Sequence, residues 1–315
     1  MEWYYILLIF ILVIILLIFS LSYLCFKITF YSNRKKKKED FELPPGKLYL
    51  QYKDQIIRAI KEARKIPHKD FYIESYDGLK LHARYYECQK GAPMEILFHG
   101  YRGDAERDLS NGIERCFKLN RNALIVDQRG SGESEGNVIT FGIKERKDCL
   151  TWINFAIKEF GNNVEIIITG ISMGAATVMM ASSMDLPKNV IGTLADCGYS
   201  SPKDIIKKVI KQIHLPTFIF YPLIKLGAKL FGKFNLEEYS PYESVQKSKV
   251  PIIFIHGNVD NFVPCYMSEK LYKVCNTRKE LVIIPEAGHG LAYLVEPEMY
   301  LTALENFFKQ EVTNR

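Results

Sequence analysis

Residues 71–315 predict an α/β fold, a mainly parallel sheet with helices on both faces and a hairpin at one edge. Three observations carry that expectation. Short apolar runs rich in β-branched residues alternate with stretches of helical periodicity. The pentapeptide Gly170-Ile171-Ser172-Met173-Gly174 separates one such run, Val164–Thr169, from the helix formers Ala175–Ala181. His99, Asp127, Asp196, Asp260 and His289 each follow an apolar run closely. They therefore fall at the carboxyl ends of strands, where open α/β sheets bind ligands.

In chain order, Leu50–Lys65 has helical spacing behind the breaker Pro44-Pro45-Gly46. Phe71–Tyr76 and Leu79–Glu87 read as strands joined at Asp77-Gly78, a strong hairpin signal. Met94–Phe98 is a strand that leads into His99-Gly100-Tyr101-Arg102-Gly103, and a helix follows to about Leu119. The strand Ala123–Val126 ends in a glycine-rich turn, Asp127–Ser134, and Ile143–Phe160 is an amphipathic helix. After the pentapeptide comes a strand over Val190–Ala195. Asp196–Lys249 is long for a connection and reads as a helical cap. Pro251–His256, Pro264–Cys275, Leu281–Pro285 and Glu296–Lys309 complete the alternation as strand, helix, strand and helix.

Trp3–Phe26 has no charged residue and is dominated by Ile and Leu, enough to cross a bilayer. Trp3, Tyr4, Tyr5 and Tyr23 stand where interfacial aromatics belong. A basic n-region and a small-residue cleavage site are both missing, so the segment reads as a retained anchor rather than a signal peptide. Lys27 and the run Arg34–Lys38 follow it, an asymmetry that favours a cytoplasmic catalytic domain. The expected organisation is an anchor over 1–27, a basic juxtamembrane linker with one helix over 28–70, and an α/β domain over 71–315 with 196–249 as the cap insertion.

The formal net charge of +6 is concentrated in the five residues Arg34–Lys38, so the remainder is near neutral. That balance argues against a nucleic-acid surface. The seven cysteines are widely spaced with no C-x-x-C, which fits free thiols rather than a disulfide framework or a zinc site. Arg129-Gly130-Ser131-Gly132 lacks the spacing and the lysine of a phosphate-binding P-loop. Neither a metal nor a cofactor is expected.

A G-x-S-x-G between strand and helix is a nucleophile elbow, which lifts a serine hydroxyl above the sheet. A serine hydroxyl is a weak nucleophile and requires a base that a carboxylate orients. Ser172, Asp260 and His289 occur in the order nucleophile, acid, base, each in a loop after a strand. Asp196 is the rival for the acid. Asp260 is preferred because its turn-rich loop before Pro264 suits a presented carboxylate. His99 and His256 are expected to shape turns, Asp127 to fix its own turn, and His68, His82 and His214 to have no part in the chemistry. The oxyanion requires two backbone donors. Met173, at a helix N-terminus, supplies one, and the Tyr101 amide is the best candidate for the other.

His99-Gly100, Asp127–Ser134, Gly170–Gly174, His256-Gly257-Asn258-Val259-Asp260 and Gly288-His289 together resemble the α/β-hydrolases. The nearest resemblance is to the bacterial membrane-anchored group close to the serine aminopeptidase and cinnamoyl-esterase-like hydrolases, and it covers about Phe71 to the C-terminus. It implies an α/β-hydrolase fold with an eight-stranded sheet and cofactor-free hydrolysis of ester, thioester or amide bonds. The resulting expectation is a membrane-anchored serine esterase acting on a small acyl ester, with apolar cap residues Phe218–Phe231 offered as an acyl pocket, as the cap's own packing, or, with Lys203, Lys207, Lys208 and Lys211, as a surface resting on the bilayer. Its rivals are a peptidase or amidase with the same machinery and a non-catalytic binding protein that keeps the fold.

Overall fold

The structure, a computed structural model, describes residues 2–33, 41 and 47–313. The basic run Arg34–Lys38 and Pro44-Pro45-Gly46 lie outside the described residues. Helices α1 (Trp3–Thr29), α2 (Lys47–Gln51) and α3 (Lys53–Ala63) precede the sheet. Then come β1 (Lys69–Glu74), β2 (Lys80–Tyr86), β3 (Met94–Phe98), α4 (Ala105–Lys118), β4 (Asn122–Asp127) and α5 (Glu145–Phe160). They are followed by β5 (Ile166–Ile171), α6 (Met173–Ala181) and β6 (Val190–Asp196). Three helices, α7 (Pro202–Gln212), α8 (Thr217–Leu230) and α9 (Pro241–Val245), intervene before β7 (Ile252–Gly257). The chain closes with α10 (Tyr266–Val274), β8 (Lys279–Ile284), α11 (Ala292–Val295) and α12 (Pro297–Thr313).

The eight strands form one sheet in the order β1-β2-β4-β3-β5-β6-β7-β8. Pairings β1–β2 and β2–β4 are antiparallel and the remaining ones are parallel, so the hairpin does sit at one edge. Every residue of β3, β4, β6 and β7 is buried. That burial explains their continuous apolar runs, because helices cover both faces of a parallel sheet. Side chains alternate between the two faces. Ile96 and Phe98 of β3 pack with Trp152 of α5, while Leu97 between them packs with Leu109 and Ile113 of α4.

One polar residue interrupts the apolar centre. Glu95 of β3 is fully buried and accepts from Arg121 (2.6 Å), Thr169 (2.9 Å) and Arg115. Burial alone would raise its carboxyl, but the two guanidinium groups outweigh that and keep it ionised.

The first helix does not end as a free tether. It runs to Thr29, two residues beyond the expected anchor, and its last turns enter the domain. Phe26 and Phe30 join a buried cluster with Phe141, Met180, Ile205, Ile224 and Phe234. Beyond the helix, Ser32 N–H donates to Asn137 O and Ile139 N–H donates to Phe30 O, both at 2.9 Å or less. A side chain at Gly227 of α8 would meet Ser22 O at 2.5 Å, so the two helices cross closely there.

In the segment expected as a linker with one helix, α3 lies within the predicted Leu50–Lys65, and α2 and α3 pack on the domain. Ile56 and Ile60 cluster with Leu291, and Arg64 pairs with Glu106 at 2.7 Å. The reason is the strong amphipathicity of 53–63, whose apolar face requires cover. β1 correspondingly starts at Lys69, two residues before the expected boundary.

Replacing Glu95 by Ala leaves Arg115 and Arg121 buried without their counter-ion. Loss of one partner of a buried ion network is expected to cost about 3–5 kcal/mol. Chemical denaturation of the detergent-solubilised protein measures this, and a loss below about 1 kcal/mol would contradict the assignment of this network as a central support.

Candidate active site

The elbow follows from close packing. A Cβ at Gly170 would lie 2.1 Å from Gly174 C, and one at Gly174 would lie 2.0 Å from Phe98 O. Only glycine lets α6 start this close to β5 and β3. Between them Ser172 adopts φ 56° and ψ −112°, a strained conformation for a residue with a side chain. It is held by Ser172 N–H donating to Asp196 O (2.8 Å) and by Ala176 N–H donating to Ser172 O (3.0 Å). Met173 is the first residue of α6, so its amide is one of the first-turn donors that a helix leaves without a partner of its own.

After β7 and β8, two loops bring Asp260 and His289 together. His289 Nδ1 lies 2.6 Å from Asp260 Oδ2. The other carboxylate oxygen, Oδ1, accepts the Phe262 and Val263 amides, both at 2.8 Å. His256 adds a third support, with Nε2 at 3.2 Å from Asp260 Oδ2 and 2.8 Å from Val263 O. A carbonyl only accepts, so this network puts the proton on His256 Nε2 and leaves Nδ1 to accept from Ser268 Oγ at 2.7 Å. Burial pushes the Asp260 carboxyl up, but hydrogen bonds from His256 and His289 outweigh it and hold the group well below the usual carboxylate range. An ionised Asp260 accepts from His289 Nδ1–H, which leaves His289 Nε2 as the basic nitrogen.

Asp196, the rival acid, is engaged elsewhere. Its Oδ2 accepts from Tyr300 OH at 2.9 Å, and burial raises its carboxyl. Asp127 does fix its own turn through the Glu133 amide (3.0 Å), and it also accepts from Ala105 N–H and faces His82 Nδ1. His99 bridges two loops, with Nδ1 2.7 Å from Gly100 O and Nε2 accepting from Gln128 N–H at 3.0 Å.

The loop after β3 approaches the elbow from the other side. A Cβ on Gly100 would lie 3.7 Å from Ser172 Cβ. Gly103 N–H donates to Gly100 O at 3.1 Å, which closes a turn that contains Tyr101 and Arg102. Arg102 has a positive φ of 55°. Its guanidinium donates to Ile28 O (2.6 Å) and Tyr31 O (3.2 Å), and Tyr101 OH donates to Thr29 O (2.7 Å). The loop next to the serine thus caps the carbonyl end of α1, where a cation is favoured.

Ser172 and His289 share the wall of a cavity of about 450 Å³. Its sides are Ile171, Leu291 and Leu294, its rim includes Phe262, and Tyr49 and Ile56 of α2 and α3 close one side. Tyr49 OH donates to His289 O at 2.6 Å, and the Phe262 ring lies edge-on to His289 at 5.0 Å. The apolar residues of α8 offered as a possible acyl pocket are absent from this lining. The packing alternative describes Tyr221 and Ile224, which are buried, while Phe218, Ile219 and Leu230 are exposed. Sequence reasoning did not find Tyr49, Asp108 or Phe262. Asp108 accepts from Gly100 N–H (3.1 Å) and from Arg107 (2.7 Å), a role that no local pattern announces.

The Cys197 sulfur, Asp260 carboxylate and His289 imidazole lie within 4.8 Å of one another, the one candidate metal-ligand cluster among the described residues. Burial, with Asp196 and Asp260 nearby, pushes the Cys197 thiol well up. A protonated thiol is a poor ligand, so the trio fits a metal badly.

The model of the family described as "Serine hydrolase (FSH1)" matches residues 142–291, the span that holds Ser172, Asp260 and His289. Among solved structures, an esterase of Pyrococcus furiosus, Pf2001, superposes with a TM-score of 0.67 over 89% of this chain and 98% of its own, at 22% identity. The chain has the α/β-hydrolase fold. It is also 26% identical over 213 residues to the uncharacterized protein YqkD of Bacillus subtilis, covering 67% of this chain and 70% of that one. An acylaminoacyl peptidase of Pyrococcus horikoshii shares the fold with a TM-score of 0.56 at 18% identity, over 78% of this chain and 42% of the peptidase.

Because the folded-state pKa of Asp260 is depressed, its stabilising contribution is complete above about pH 4, the ordinary carboxylate value, and is lost as pH falls below that. Asp260→Asn is therefore expected to flatten the decline of unfolding free energy with acidification. Denaturation at graded pH checks this, and equal slopes for the two proteins would contradict it.

Proposed function

We propose that this hydrolase is a membrane-tethered serine esterase that works through an acyl-enzyme. The observation that carries the reading is the 2.6 Å contact of His289 Nδ1 with Asp260, made by a histidine that shares its cavity with the strained Ser172. Ser172 Oγ attacks the carbonyl carbon while His289 Nε2 takes its proton. The tetrahedral oxyanion is held by the Met173 and Tyr101 amides. Its collapse expels the alcohol, to which His289 returns the proton. Water then repeats the sequence on the acyl-enzyme and releases the acid. Asp260 keeps His289 in the required tautomer and stabilises the imidazolium.

Ester rather than peptide cleavage is supported by the cavity wall. It is largely apolar, and the carboxylate that faces it, Asp108, is engaged by Gly100 N–H and Arg107. It is therefore poorly placed to receive a substrate ammonium. Tethering is supported by the length and apolarity of α1 and by the burial of its last turns, which a cleaved signal sequence would not share. The residues 202–245 act as a cap that holds α1, and Lys27 after the span favours a cytoplasmic catalytic domain.

A fluorophosphonate probe is expected to label the folded protein and to fail on Ser172→Ala. No labelling of folded parent protein would leave only a non-catalytic role for the fold. Removing the hydroxyl or replacing His289 by Ala should lower kcat on p-nitrophenyl acyl esters by roughly 10³- to 10⁶-fold. Turnover of aminoacyl anilides in preference to those esters would move the assignment to a peptidase. Protease added outside intact cells should leave the catalytic domain whole, and its digestion would reverse the orientation.

A further inference from the structure

The cap helix α8 contacts α1 along a line that leads towards the membrane. Gly227 meets Ser22 and Phe26, and one turn later the Phe231 ring lies 5.0 Å from both Phe19 and Tyr23. Movement towards the C-terminal end of α8 is thus movement towards the apolar end of α1. The depth of these contacts follows from helix geometry. With Trp3, Tyr4 and Tyr5 at the far interface, Ile6 to Leu24 is 19 positions. At 1.5 Å each they span about 28 Å, close to the thickness of a bilayer's hydrocarbon core. Phe19 then lies within the apolar stretch, and Tyr23 lies in its last turn, at the interface. Phe231, packed on both and 5.8 Å from Phe26, is at the level of that last turn.

The rest of that end of α8 is shaped for the same environment. Leu226 and Leu230 stand four positions apart beside the line of contact with α1, and Leu230 is 45% exposed. Lys229 and Lys233 flank them and are exposed. Apolar side chains with lysines beside them at the depth of a membrane interface match an acyl-chain boundary below a negatively charged headgroup layer.

We propose that the C-terminal end of α8, through Leu226, Leu230 and Phe231, is a second membrane contact that enters the anionic leaflet where α1 leaves it. This rests on the reading of α1 as a retained span. With the last turns of α1 already packed in the domain, the two contacts together fix the tilt of the domain against the membrane. The consequence reaches the cavity, because Arg102 in its wall is bonded to Ile28 O and Tyr31 O at the end of the same helix. Ile28 is four residues beyond Leu24, which puts this end of the cavity wall about 6 Å from the apolar boundary. An ester that partitions into the leaflet would be held within reach of Ser172.

The test uses the full-length protein in vesicles of phosphatidylcholine and phosphatidylglycerol, with a genetically encoded environment-sensitive fluorophore at position 12 or at position 230. Lipids with a nitroxide on the acyl chain serve as quenchers. A several-fold loss of emission at both positions is the expected result, and a probe at 226 repeats the reading should the one at 230 disturb folding. Quenching at 12 without quenching at 230 and 226 overturns the second contact while leaving the span in place. Absence of quenching at 12 overturns the span itself, and this inference with it.

Discussion

The steric demand at the elbow sets the terms for the rest of the α/β domain. Gly170 and Gly174 let the start of α6 lie against β5 and β3 at distances that any Cβ would block. The serine between them is forced to a positive φ. That strain persists because β6 on one side and the first turn of α6 on the other hold its backbone. Every other group in the site is placed relative to this point. The β3 loop approaches through Gly100, and the loops after β7 and β8 bring Asp260 and His289 to the same cavity.

Asp260 is the electrostatic centre of this arrangement. It receives two amides and faces two histidines, and together these outweigh the penalty of burying a carboxylate. The second histidine, His256, is locked from behind by Ser268 and Val263 and has no part in the cavity wall. Two imidazoles on one carboxylate thus have separate positions, one behind the acid and one in the cavity wall. Asp196 lies at the equivalent edge of the neighbouring strand but is turned to Tyr300, which removes it as a partner for His289.

The N-terminal helices belong to the same machine. Tyr101 and Arg102 satisfy the carbonyls at the end of α1, while α2 and α3 close the cavity and Tyr49 bonds the His289 backbone. The α/β core is therefore finished by residues that precede its first strand. The amphipathic helix predicted before the first strand becomes a wall, because its apolar face is buried against the domain.

The alternation of strands and helices, the elbow and the order Ser172, Asp260, His289 were all legible in the chain, since each depends on local periodicity or on glycines with a local steric purpose. The apolar length of α1 was legible for the same reason. The turn-rich loop already favoured Asp260 over Asp196, and the tertiary structure supplied the physical reason, turning Asp260 to His289 and Asp196 to Tyr300. Only the tertiary structure decided what covers the cavity. The runs over 218–231 and 53–63 are both amphipathic, and nothing in either says which apolar face will meet α1 and which will meet the active site. Long-range packing makes that choice, and sequence separation hides it: Tyr49 and His289, 240 residues apart, come within a hydrogen bond of each other.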